Sequence, residues 1–114
     1  MATKDDFANY CAELLGASGR VQVRRMFGAH GMYLDGLFVA VVTNHLLYLK
    51  ADAESAPTFE AAGGRRFEYE ARGKRMSLGF WTPPDEAMES PNLMAPWARL
   101  ASEAAVRARK GKRS

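Results

Sequence analysis

Apolar residues recur at spacings of four, three and one through Phe7, Cys11, Leu14 and Leu15, which makes one helical stripe and predicts a first helix over residues 4–16. Thr3 is placed to cap its start and Asp6 to meet the positive pole of the dipole. Gly16 and Gly19 stand where such a helix stops. The pattern then changes to strands. Val21-Gln22-Val23 opens with alternation, and Asp35-Gly36 sits between two apolar runs, the signature of a hairpin with a type I′ turn. A second turn at Thr43-Asn44-His45 leads into Leu46–Lys50, read as the third strand. Gly28 and Gly31 interrupt the first strand, which extends to Leu34, and predict a bulge or a close backbone approach there.

Residues 52–62 read as a short helix with Pro57 in its first turn and Gly63-Gly64 at its end. Phe67-Glu68-Tyr69-Glu70 and Met76–Phe80 alternate on either side of a charged tip, Ala71–Arg75, and predict a half-buried hairpin. Pro83-Pro84 ends the last strand. Asp85–Glu89 fits one helical turn, and Ser90-Pro91 an N-cap followed by a first-turn proline. Pro96 places the start of the final helix near Ala95, from where Trp97, Leu100, Ala101, Ala104 and Ala105 form a stripe to about Arg109. The order is α-β-β-β-α-β-β-α, an α+β fold with a mainly antiparallel five-stranded sheet. Residues 1–106 form a single domain and residues 107–114 a basic C-terminal tail.

The chain has 114 residues, a length that fits one domain with a core of its own. Its longest apolar run, Leu37–Val42, is far short of the ~20 residues a membrane-spanning helix needs. Asp5 and Asp6 stand where a signal peptide would be apolar, and Cys11 is the lone cysteine; both fit a cytoplasmic protein without disulfides. The net charge is +3, with 16 basic and 13 acidic residues. Five of the basic ones are Arg107, Arg109, Lys110, Lys112 and Arg113; without residues 107–114 there remain 11 (16 less 5) against 13, a body charge of −2. Such a tail is a candidate contact for nucleic acid through counterion release. It equally serves solubility or the negative pole of a helix.

Chemistry for catalysis is not visible in the sequence. His30 and His45 have no second ligand at metal spacing, so no metal and no cofactor is expected. Cys11 lies on the apolar stripe, where a buried inert thiol is expected. Glu68 and Glu70 share a strand face, at about 6.5–7 Å along the backbone, but their hairpin also carries Arg72, Lys74 and Arg75 and reads as a solvated face. Met26, Met32, Met76, Met88 and Met94 serve either as core filling or as a pliable contact surface. Trp81 and Trp97 serve either as sheet cover or as interface anchors.

Arg25-Met26-Phe27-Gly28 followed by Gly31-Met32-Tyr33-Leu34-Asp35-Gly36 resembles the opening signature of the TfoX N-terminal domain family, the Sxy-like competence regulators of bacteria. Leu47–Asp52, Phe59–Gly63, Phe67-x-Tyr69, Gly73-Lys74 and Phe80-Trp81-x-x-Pro84-x-Glu86 match its later segments, and the resemblance covers about residues 20–105. It implies an α-β(3)-α-β(2)-α fold similar to secretion-chaperone-like domains, which often dimerise. Full-length members carry a further helical domain and act as positive regulators of DNA-uptake genes with a transcription factor; the resemblance implies no catalytic residues. Two functions follow as expectations. The first is a non-enzymatic regulatory module, a homodimer that meets a protein partner, such as a transcription factor, through Arg25, Phe27, Tyr33 and Trp81. The second is nucleic-acid binding through the basic tail. A membrane partner is not expected.

Overall fold

A computed structural model describes residues 4–26, 28–71 and 73–111. The chain runs α1 (Lys4–Gly16), β1 (Val21–Met26), β2 (Ala29–Leu34), β3 (Leu37–Thr43), β4 (Leu46–Lys50), α2 (Ala56–Ala61), β5 (Arg66–Ala71), β6 (Lys74–Trp81), a 3₁₀ turn (Asp85–Glu89) and α3 (Pro91–Gly111). All strand pairs are antiparallel in one six-stranded sheet, order β1-β2-β3-β4-β6-β5. The architecture is α+β, and the first helix matches its expected span.

The sheet has six strands, where alternation and turn signals predict five. The stretch from Val21 to Leu34 is a hairpin and not one bulged strand: Met26 pairs with Ala29, and Gly28 takes φ +79 at the reversal. Two causes hide this turn. The residue before Gly28 is phenylalanine, without the Asn or Asp that marks a type I′ turn. β1 is also an edge strand, largely exposed along its middle, so its alternation is faint. A bulge does occur, one strand further on. Met32 pairs with Ala40 but Tyr33 with Phe38, which leaves Val39 as the extra residue and buries Val39 and Ala40 in succession.

The Asp35-Gly36 turn has the positive φ values of a type I′ hairpin, +51 and +82, and Asn44-His45 forms a second one at +53 and +58. The helix over 52–62 is shorter than expected, Ala56–Ala61, because residues 53–55 form a turn organised by Asp52. The last helix is longer than expected and begins at Pro91. Ser90 caps it as read, its Oγ accepting from Leu93 N at 3.2 Å. Pro96 lies inside the helix, in its second turn, where it removes one main-chain hydrogen bond. Burial of Met94, Ala98, Ala101 and Ala105 more than offsets that loss.

The core lies between one face of the sheet and the helices. Met32, Leu34, Val39, Ala40, Val42, Leu47 and Leu49 from the strands meet Leu14 and Leu15 of α1, Phe59 of α2 and Met94 of α3. The alanine run of α3 lets that helix lie close to β3 and β4. Tyr10 Oη donates to the carbonyl of Met88 and ties α1 to the 3₁₀ turn.

Candidate functional site

The helices cover one face of the sheet and leave the other open. Residues that alternate with the core positions come to this open face: Tyr33 opposite Phe38, Val41 opposite Tyr48, and Lys50 opposite Phe80. The bulge at Val39 decides this, because it shifts Phe38 into step with Tyr33. The rings are in contact. Tyr33 and Phe38 lie 5.1 Å apart, Phe38 and Phe80 5.7 Å, and Tyr48 and Phe67 4.8 Å edge to face. These spacings lie within the range of favourable aromatic pairs. Gly31 sits beneath them. A β-carbon there would stand 2.5 Å from Met26 Cε and 3.2 Å from Phe38 Cε1, so glycine makes the room in which those side chains lie flat. A groove of about 230 Å³ opens among Met26, Ala29, Val41, Tyr48, Phe67 and Phe80.

Two cations belong to this face. The Arg24 guanidinium lies 5.3 Å above the Tyr33 ring, and the Lys50 ammonium 5.2 Å above the Phe80 ring, both cation–π distances. By register Gln22 and Arg24 of β1 share the face with Tyr33. Its described side chains include no carboxylate. A larger cleft, about 440 Å³, lies between α1 and the segment after β6, with Phe7, Tyr10, Leu47, Arg65, Asp85 and Met88 in its walls.

The residues expected to make protein contacts are distributed over the fold. Tyr33 is on the open face and Arg25 on the edge strand β1. Trp81 opposes Leu49 on the helix side and packs half-buried against the core. Phe27 lies outside the described residues. Of the methionines, Met32 and Met94 are core, Met88 packs against it and Met26 borders the groove. Trp97 lies against Phe59 with ring centroids 5.2 Å apart. Glu68 is exposed and takes Arg66 Nη2 at 3.2 Å.

Of the basic residues near the C-terminus, helix α3 carries Arg107, Arg109 and Lys110, while Lys112 and Arg113 lie outside the described residues. Arg107 is part of the fold. Its Nε donates to Asp52 Oδ2 at 2.6 Å and its Nη2 to Asp52 Oδ1 at 3.0 Å, and Nη1 meets Glu54 at 3.0 Å. Arg109 Nη2 reaches the Gly36 carbonyl at 3.4 Å. Asp52 Oδ1 also accepts from the backbone N–H groups of Glu54 and Ser55 and from Ser55 Oγ. The clamp thus fixes the turn before α2 to the end of α3. The Arg107 hydrogen bonds hold the Asp52 carboxyl at about 2, below its usual 3.8. Its contribution is therefore complete above pH 4 and is lost as pH falls through about 2. Both side chains are about one-third exposed, so solvent screening limits the carboxylate's share to about 1 kcal/mol. In thermal melts across pH 2–5, Asp52→Asn is expected to lose the acid-dependent drop that the parent shows in this window. A parallel drop in both proteins would remove Asp52 from the account.

Burial pushes the Cys11 thiol up to about 12, which keeps it protonated and unreactive at neutral pH. No group of three His, Cys, Asp or Glu side chains able to hold a metal occurs among the described residues, and no described helix is long and apolar enough to cross a membrane.

A single antiparallel sheet with helices on one face and an aromatic, cationic surface on the other defines a small α+β domain. The model of the TfoX N-terminal domain matches residues 13–105, and the chain belongs to that family. The family is non-catalytic, and membership supports a regulatory or competence-related role at most. A search of curated proteins finds no match.

Proposed function

We propose that the protein is a non-enzymatic regulatory module in competence that acts through protein contacts, first as a homodimer and then with a transcription factor. One observation carries the dimer: β1 is a sheet edge with an exposed valine, Val23, at its centre. Exposed edges invite pairing with another strand. A two-fold axis through Val23 sets the two valines together and places Arg24 opposite Gln22, so no arginine faces another. The two sheets then continue as one. Dimerisation is also what the expected similarity to secretion-chaperone-like domains implies, and family membership supports the regulatory part.

Light scattering on the purified chain is the test. The expected mass is twice 12.6 kDa, falling to one chain in Val23→Lys, which sets two ammonium groups against each other at the axis. A monomer at all concentrations would end the dimer proposal, and a dimer indifferent to Val23→Lys would end the role of β1. For the regulatory part, deletion of the gene is expected to lower DNA-uptake gene expression in its host; unchanged expression would count against it.

A further inference from the structure

The cleft between α1 and the segment after β6 takes no part in β1 pairing, since none of its lining residues belongs to that strand. Its volume, about 440 Å³, lies in the range of sites that hold small organic molecules. Its walls are preformed. Leu47 is buried, and Phe7 and Met88 pack partly buried against the core. The Tyr10 hydroxyl donates to the Met88 carbonyl and so holds α1 to the 3₁₀ turn.

Two exposed residues of opposite charge, Arg65 and Asp85, also line the cleft. Among the described residues neither side chain has an ion-pair partner, and they do not pair with each other. Both are tied to one corner of the fold. Arg65 N donates to Thr82 Oγ1 at 2.8 Å, Thr82 N donates to Arg65 O at 2.9 Å, and Asp85 follows three positions on.

Charge selects the ligand. An acid with an apolar tail would meet Arg65 but bring a like charge toward Asp85, and an amine would do the reverse. A neutral apolar molecule leaves both charges unused. The free end of a protein chain supplies one charge and not the other. A small zwitterion with an apolar body uses all three features. In a dipeptide the ammonium and the carboxylate are up to about 7 Å apart, which suits two charges that do not reach each other.

We infer that this cleft binds zwitterionic small molecules of the apolar-dipeptide class, with the carboxylate on Arg65, the ammonium on Asp85 and the side chains against Phe7, Leu47 and Met88. Exposed ion pairs are weak, so apolar burial supplies most of the affinity and the charges set the orientation. The site can be occupied in a monomer or a dimer, so it stands or falls separately from the role of β1.

An NMR titration of the amide spectrum of the full chain with leucyl-phenylalanine tests the inference. Saturable shifts are expected in α1, at the start of β4 and over residues 82–88. Glycylglycine has both charges and no apolar body. It should bind at least about tenfold more weakly, since burying one large apolar side chain is already worth that much. Leucyl-phenylalanine amide lacks the carboxylate and the N-acetyl peptide lacks the ammonium; each should bind about fivefold more weakly than the free dipeptide. Arg65→Gln should weaken the free dipeptide about fivefold and leave the amide within about twofold. Asp85→Asn should weaken the free dipeptide equally and leave the N-acetyl peptide within about twofold. A merely structural role would weaken every ligand alike. Circular dichroism melts establish that each variant is folded, and the blocked peptides test both charges on the parent chain in any case. The inference is overturned by no saturable shift up to about 20 mM, beyond the range of a weak specific site, or by shifts confined to the open face. Glycylglycine or the blocked peptides binding as tightly as the free dipeptide would overturn it, as would an equal loss for free and blocked peptides in the variants.

Discussion

Phe59→Ala is expected to destabilise the domain by about 4 kcal/mol, within the range for removing a buried phenylalanine. Phe59 has no exposure to solvent and lies against Trp97 of α3. It is also the single buried side chain of α2. That helix has six residues and no side-chain hydrogen bond at its N-cap, so it is too short to persist without tertiary support. Losing the ring removes apolar burial, an aromatic contact and the anchor of α2 together. At about 4–8 °C per kcal/mol for a domain of this size, the melting temperature should fall by roughly 20 °C. Phe59→Leu, which keeps most of the volume, should cost less than half as much. Hydrogen exchange should accelerate first at Ala62, Gly63 and Gly64, whose amides bond back to α2. A thermal melt of Phe59→Ala within 3 °C of the parent would mean that the core closes over the missing ring and that Phe59 is not the anchor.

How much of this was readable without coordinates depends on the distance over which each feature is encoded. The first helix and the Asp35-Gly36 turn are set by neighbours within a few positions, and both appear where periodicity and turn chemistry put them. The Val21–Leu34 hairpin is also local, but its edge strand carries few apolar residues and its glycine lacks the usual preceding residue, so a turn looks like a bulge. The actual bulge at Val39 lies inside the apolar run Leu37–Val42, where every position is hydrophobic and a change of step leaves no mark. Its consequence is on the open face, where it puts Phe38 beside Tyr33. The rings of the open face were visible as strand residues, but which face the helices cover is a property of the whole fold. The Arg107–Asp52 clamp joins positions 55 apart. In the sequence Arg107 belongs to a run of positive charge; in the fold it is the partner of two carboxylates.

Gly64→Ala should cost about 3 kcal/mol, near the upper end for overpacking, while Gly63→Ala should cost only about 1 kcal/mol, the penalty for a left-handed residue with a β-carbon. The sequence treats these glycines alike, as the end of α2, but the structure separates them. Gly63 has φ +90 and open space where a side chain would go. Its amide returns to Glu60 O at 3.0 Å, and that of Gly64 to Phe59 O at 2.9 Å, the paired bonds of a Schellman ending. A β-carbon on Gly64 would collide with the backbone carbonyl of Thr82 and lie 2.9 Å from that of Phe59. Neither oxygen belongs to a flexible side chain. Thr82 is held in turn, its N–H donating to Arg65 O and its Oγ1 accepting from Arg65 N. Relief of the collision must therefore part the end of β6 from the start of β5 or unwind the last turn of α2. Denaturant melts of the two variants give the comparison directly. Equal costs would mean that the Gly64–Thr82 contact relaxes freely and that only backbone conformation matters at this corner.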